Sequence, residues 1–168
     1  MVGKFRRLPP VCMAISMVRL IAGRIRIIKA YSGVSVRNED GTKYKIFRQI
    51  TIHPVPTDKL PAVLIVRFKF AKLSYRINKF ISNIPMLAIT GFPGFITKVY
   101  AVNLENGYWQ GMYQWRSQEH LDAYKKSIVF RAMNKRTLKN SLTIKEFKGR
   151  QLRDLIDEMK ETPSDTYR

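Results

Sequence analysis

Gly94-Phe95-Ile96-Thr97-Lys98-Val99-Tyr100, followed by Gly111-Met112-Tyr113-Gln114-Trp115, Ser117 and then Lys145-Glu146-Phe147, is the stretch whose reading decides the fold. Residues 95–102 and 108–115 are rich in aromatic and β-branched side chains, which suit strands. Asn103-Leu104-Glu105-Asn106-Gly107 joins them, and Asn-Gly is a favoured pair for a type I′ hairpin turn. Even-numbered residues of the first strand then share a face with odd-numbered residues of the second. One face holds Ile96, Lys98, Tyr100, Gly111, Tyr113 and Trp115, and the other Phe95, Thr97, Val99, Gln110, Met112 and Gln114. Neither face is plainly polar, so the sheet is expected to be covered on both sides.

Working outward, Ser117 is a good helix N-cap, and Glu119 in the first turn suits the helix dipole. Leu121, Tyr124, Ile128 and Ala132 give that helix a buried stripe, and Ser141 to Phe147 supplies a further strand. Upstream, Val63 to Phe70 reads as a strand with Leu64, Val66, Phe68 and Phe70 on one face. Leu73, Ile77, Phe80, Ile81 and Ile84 follow helical spacing, and Pro85 ends or kinks that helix. Met86 to Phe95, with Gly91-Phe92-Pro93-Gly94, is expected to be a loop of the kind that borders a pocket. The order β-α-β-β-α-β is the ferredoxin-like α+β pattern. After Gly149, residues Leu152, Leu155, Ile156 and Met159 predict a short C-terminal amphipathic helix.

The expected organisation is a basic, apolar N-terminal helix over 1–31, a connector with an extra edge strand over 32–61, the α+β domain over 62–150, and a C-terminal helix and tail over 151–168. The first segment has seven basic residues and no acid, with Val11 to Val18 broken only by Ser16. Arginines interrupt it too often for a membrane span, and no convincing cleavage site marks a signal peptide. In the connector, Asn38-Glu39-Asp40-Gly41 signals a turn, Tyr44 to Ile52 a strand, and Pro54, Pro56 and Pro61 its end.

A net charge of +19 over 168 residues attracts polyanions generally without naming one. Residues 1–61 hold twelve basic and three acidic side chains, 62–148 fifteen and four, and 149–168 four and five, so the tail alone is slightly acidic. A lone Cys12 excludes an intramolecular disulfide, and with only His53 and His120 beside it there is no zinc-ligand spacing, so no metal is expected. There is no Gly-rich phosphate loop and no nucleophile elbow.

Gly94-Phe95-x-x-Lys98-Val99, Gly111-x-Tyr113 with Trp115, Ser117 with Glu119, Ala123-Tyr124 and Lys145-x-Phe147 resemble the YdhR-type, monooxygenase-like family of the dimeric α/β-barrel superfamily, over residues about 62–150. The resemblance implies a homodimer in which two four-stranded sheets form one barrel with the helices outside. It also implies a small apolar or aromatic ligand and oxygenase chemistry that needs no cofactor. Such chemistry requires a pocket that excludes water and groups that deprotonate a phenol-like substrate and stabilise its anion. Lys98, Tyr100, Tyr113 and Trp115 are the candidate catalytic residues, supplying a cation and hydroxyl donors against aromatic walls. Gln110, Gln114, Phe95 and Met112 are the candidate ligand-binding residues. The alternative is a non-catalytic module that uses residues 10–31 at an anionic membrane surface, and RNA binding ranks third, because strand three lacks the basic-Gly-aromatic run of an RNA-recognition sheet. The expected location is the cytoplasm, with peripheral attachment at the inner face of the membrane.

Overall fold

In the computed structural model, the residues described are 8–54, 60–70, 77 and 83–160. In chain order they form α1 (Pro9–Ile21), β1 (Ile25–Ile28), β2 (Ser35–Arg37), β3 (Lys43–Ile52), β4 (Ala62–Lys69), α2 (Asn83–Thr90), β5 (Phe95–Val102), β6 (Tyr108–Trp115), α3 (Gln118–Lys125), α4 (Ile128–Asn134), β7 (Thr143–Lys148) and α5 (Leu152–Met159). The strands make one antiparallel sheet in the order β1-β3-β5-β6-β4-β7, with β2 also paired to β3. The β7-β4-β6-β5 portion is the ferredoxin-like core, so the α+β ferredoxin-like fold is the architecture of this chain.

The N-terminal third continues that sheet. β3 pairs with β5 from Lys45 opposite Val102 to Thr51 opposite Thr97, and β1 pairs with β3 in turn. The connector expected over 32–61 thus contributes a long strand at what would have been the edge of the core sheet. The N-terminal helix is shorter than the expected 1–31. It ends at Ile21, Gly23 follows at φ 65°, and Ile25 to Ile28 is strand. The β-branched run Ile25, Ile27, Ile28 outweighs helical spacing once β3 offers it a partner.

α1 is also held more firmly than a free basic helix would be. Ser16 Oγ lies 2.6 Å from Thr90 Oγ1, and the Arg19 guanidinium donates to the Thr90 carbonyl at the end of α2. Gly91 permits this approach, because a Cβ there would sit 1.7 Å from the Cys12 carbonyl oxygen. Pro85 lies near the start of α2, where its missing N–H costs nothing. The first half of the loop expected over 86–95 is therefore helix, 91–94 turns, and Phe95 opens β5. The expected helix over 73–84 falls largely outside the described residues. The helix expected after Ser117 is two helices, since Ser127 accepts from the Phe130 amide and starts α4. Val129 and Phe130 are consequently buried while Ile128 is exposed.

Each sheet face carries its own core. On one, Leu64, Val66, Phe68, Trp109, Tyr113 and Trp115 pack against Cys12, Ala88, Ile89, Phe92, Leu121, Tyr124, Val129 and Phe130 of the helices and loops. On the other, Val63, Ile65, Val99, Ala101 and Met112 pack against Leu152, Leu155 and Ile156 of α5 and against Val36 and Tyr44. The C-terminal helix thus forms as its spacing predicts, and covers the face opposite α1–α4. The β5–β6 hairpin also forms, but among the described non-glycine residues only Asn140 has positive φ, so Asn106 does not make a type I′ turn. Asn103 Oδ1 accepts from the amides of Glu105 and Asn106 instead, and Gly107 takes φ 73°. That side-chain cap supports a longer loop.

Candidate functional site

Between the sheet and α1, α2, α3 and α4 lies a cavity of about 300 Å³. Its floor is Phe68, Phe70, Lys98, Tyr100, Trp109, Gly111 and Tyr113, and its roof comes from Pro9 and Met13 of α1, Pro85, Ala88 and Ile89 of α2, Tyr124 of α3, and Ile128, Val129, Ala132 and Met133 of α4, with Arg136 just beyond. The size and the apolar lining with a few polar groups are those of a small-molecule site.

Cross-strand register sets the floor. Ile50, Lys98, Tyr113 and Leu64 form one row across β3, β5, β6 and β4, and Arg48, Tyr100 and Gly111 form the next on the same face. Gly111 is what gives the Tyr113 ring its place. A Cβ at Gly111 would meet the ring at 2.8 Å and its hydroxyl at 2.9 Å, so the ring lies over the backbone where another residue would stand. Lys98 Nζ is 4.0 Å from the centroid of the Tyr100 ring and 4.5 Å from that of Tyr113, and Arg48 covers Tyr100 at 4.6 Å.

Lys98 is 6% exposed, and among the described residues no carboxylate lines the cavity or pairs with it. Burial first, and the nearby Arg48 charge second, push its amine well below the usual lysine range. Tyr100, Tyr113 and Tyr124 are all shifted upward, mainly by burial, so their hydroxyls stay protonated. The Tyr100 hydroxyl has no hydrogen-bond partner among the described residues, whereas Tyr113 donates to Met133 Sδ at 3.7 Å and its hydroxyl lies beside that of Tyr124. The chemistry on offer is thus one buried amine whose charge is disfavoured, one unsatisfied hydroxyl on Tyr100 and aromatic walls. A buried polar group without a partner costs about 1–3 kcal/mol, a penalty that a suitably polar ligand relieves.

The structure brings Lys98, Tyr100 and Tyr113 together as the alternation predicts. Trp115 shares their face but does not line the cavity. It stacks on Tyr124 at 4.6 Å and meets Phe92 and Phe95 edge-on, each at 5.7 Å, which fixes the wall from behind. Phe95 is on this same face, not with Met112, because the register shifts between Phe95 and Thr97 and sets Phe95 opposite Trp115. Met112 is in the opposite core. Gln114 Oε1 accepts from the Leu152 amide at 2.9 Å, satisfying the first turn of α5. Gln110 borders the cavity, but its side-chain carbonyl accepts from Asn38 Nδ2 at 2.9 Å.

Sequence reasoning did not single out Arg48, Tyr124, Trp109 or Met133 for the site. Only the glycine inside β6 hinted at a close approach there. His120 packs on Gly94 and its Nδ1 is 2.8 Å from Ser117 Oγ, so Ser117 holds the N-cap position with its hydroxyl turned to the histidine. Neither His53 nor His120 lines the cavity. Among the described residues no cluster of His, Cys, Asp and Glu could hold a metal ion, and no helix is long and apolar enough to cross a membrane.

No protein-family model matches the sequence, and neither does any curated protein. Solved structures do match. LmHde, a heme-degrading enzyme from Listeria monocytogenes, is similar at 12% identity and TM-score 0.50, over 79% of this chain and 91% of that one. A monooxygenase-like protein from Listeria innocua is similar at 9% identity and TM-score 0.50, over 79% and 85% of the two chains. At such identities the likeness concerns the fold, and the chain has the ferredoxin-like α+β fold that these proteins share.

Proposed function

We propose that the cavity binds a small aromatic compound with an acidic hydroxyl or an activated methylene, and that the protein is a cofactor-independent monooxygenase acting on it. The observation that carries this reading is Lys98, an amine enclosed by two tyrosine rings with no carboxylate to hold its charge. The free amine takes the substrate proton. The ammonium so formed pairs with the substrate anion and rests against the π faces of Tyr100 and Tyr113. The unsatisfied hydroxyl of Tyr100 donates to the developing oxyanion. The carbanion then reduces dioxygen, and the balance is one methylene plus O2 giving one ketone plus water. Phe68, Trp109 and Met133 keep water out, with Trp115 supporting the wall through Tyr124. The YdhR-type resemblance over 62–150 supports this reading. Neither histidine is in the cavity to ligate a haem iron.

The test is oxygen uptake with 1,8-dihydroxyanthrone. The expected result is one O2 consumed per ketone formed, falling at least about a hundredfold in Lys98→Met, the usual range for removing a proton-transfer group. Equal rates in the two proteins would refute the role of Lys98. The homodimer implied by the resemblance belongs to the same reading. Native mass spectrometry at the mass of two chains supports it, and a single-chain mass removes the dimer without touching the cavity.

A second reading is favoured by α1. Met13, Met17, Val18, Leu20 and Ile21 are exposed on a helix of thirteen residues, and Arg24, Arg26 and Lys29 follow with no acid before Glu39. That surface suits peripheral attachment to an anionic bilayer at the cytoplasmic face. Co-sedimentation with anionic vesicles that survives Val18→Asp/Ile21→Asp would dismiss it.

A further inference from the structure

We propose that Lys98 forms a Schiff base with the carbonyl carbon of an aromatic aldehyde or ketone held in the cavity between the sheet and helices α1–α4. The inference rests on the ligand-binding reading of that cavity and specifies a carbonyl class of ligand for it.

Three observations converge on the same atom. Lys98 is at the floor of an aromatic-lined cavity of about 300 Å³, large enough for a fused bicyclic ring beside it. Nothing on the described residues neutralises its charge, since the other charged groups near the cavity, Arg48 and Arg136, are also cations. The hydroxyl of Tyr100, whose ring centroid lies 4.0 Å from that amine, is protonated and has no hydrogen-bond partner among the described residues, so it is available to donate to a carbonyl oxygen. A desolvated lysine beside a second cation is the setting in which an amine becomes a nucleophile at neutral pH.

The step balances without any co-reactant. The nitrogen lone pair forms the C–N bond, and the carbonyl π electrons move to oxygen. The resulting carbinolamine then loses that oxygen as water, which takes both amine hydrogens and leaves a neutral imine. No net charge is created, which suits a site where burial penalises cations. Exclusion of water by Phe68, Trp109 and Met133 disfavours the reverse hydrolysis.

The experiment is reductive trapping on the full chain. The protein is equilibrated with 2-naphthaldehyde at pH 7, treated with sodium borohydride, and digested for peptide mapping by mass spectrometry. Hydride adds to the imine carbon and the nitrogen takes a proton from water, leaving a stable naphthylmethyl amine. An exposed lysine holds only about one amine in 2,500 unprotonated at pH 7. The expected result is therefore label on Lys98 at least about a hundredfold above any exposed lysine, competed away by 2-naphthol, which has the same ring system and no carbonyl. Saturable 2-naphthol binding with label absent from Lys98, or spread evenly over exposed lysines, would overturn the Schiff base and leave the cavity reading standing. No binding of either compound would overturn both. Mapping is done on the wild-type chain, so the result does not depend on a variant folding.

Discussion

Replacing Lys98 by methionine should stabilise the protein at pH 7, and the advantage should shrink as pH rises. Methionine keeps the length and flexibility of the side chain and removes the ionisable head. In the folded chain Lys98 is buried between Tyr100 and Tyr113, and its amine is held well below the ordinary lysine value of about 10.4. For a base depressed in this way, the penalty is complete below the folded pKa and disappears above the unfolded one. Between the two, the unfolded chain binds one more proton at this position than the folded chain. Stability of the wild type then rises by about 1.4 kcal/mol per pH unit from this group alone. The variant lacks that contribution, and every other titrating group cancels in the comparison. For a chain of this length 1 kcal/mol corresponds to roughly 2–4 °C in Tm, so the lead of Lys98→Met should narrow as pH rises between the folded and unfolded pKa values, by up to roughly 3–6 °C per pH unit. Thermal melts of both proteins at pH 7, 8 and 9 read this directly. Parallel Tm curves, or a variant less stable than wild type at pH 7, would refute the assignment of Lys98 as a buried amine without a counter-charge.

Gly111→Ala puts a methyl group 2.8 Å from the Tyr113 ring, so the ring must move into the cavity. Urea denaturation should show a loss of about 1–3 kcal/mol, with weaker binding of aromatic ligands. Gly91→Ala sets its Cβ against the backbone carbonyl of Cys12 and should prise α1 from α2, which limited proteolysis detects as faster cleavage near residues 22–24. Gln114→Ala leaves the Leu152 amide without its acceptor and should cost about 1–2 kcal/mol by denaturation, with aromatic-ligand affinity unchanged, since Gln114 lies on the α5 side of the sheet.

The alternation of β5 and β6 was the most legible part of the chain, because the period of two is strict within each strand. It puts Lys98, Tyr100 and Tyr113 on one face, where the structure also has them. It failed at Phe95, where a register shift changes the face of a residue without leaving a mark in the sequence. The glutamines misled for a related reason. Two buried amides read as ligand-orienting groups until the capped helix and Asn38 appear as their partners, one from residue 152 and one from residue 38. Arg48 could not be found as a neighbour of Lys98 because the contact depends on β3 joining the sheet beside β5, a pairing that local pattern does not encode. The helix boundary at Ile21 was likewise decided by a tertiary partner, β3, whereas the break at Ser127 comes from a local N-cap that the apolar spacing overrode.

The measurement that tests the account most directly is a titration of the wild-type protein with 2-naphthol at pH 7, followed by absorption and fluorescence. Naphtholate absorbs at longer wavelength than naphthol, so the absorption spectrum reports the ground-state proton while the fluorescence follows binding. Saturable binding of one naphthol per chain, carrying the naphtholate spectrum in wild type and losing it in a folded Lys98→Met, is the predicted result. Absence of saturable binding, or bound naphthol that stays neutral beside Lys98, would contradict the central claim that this amine and its aromatic enclosure form the site.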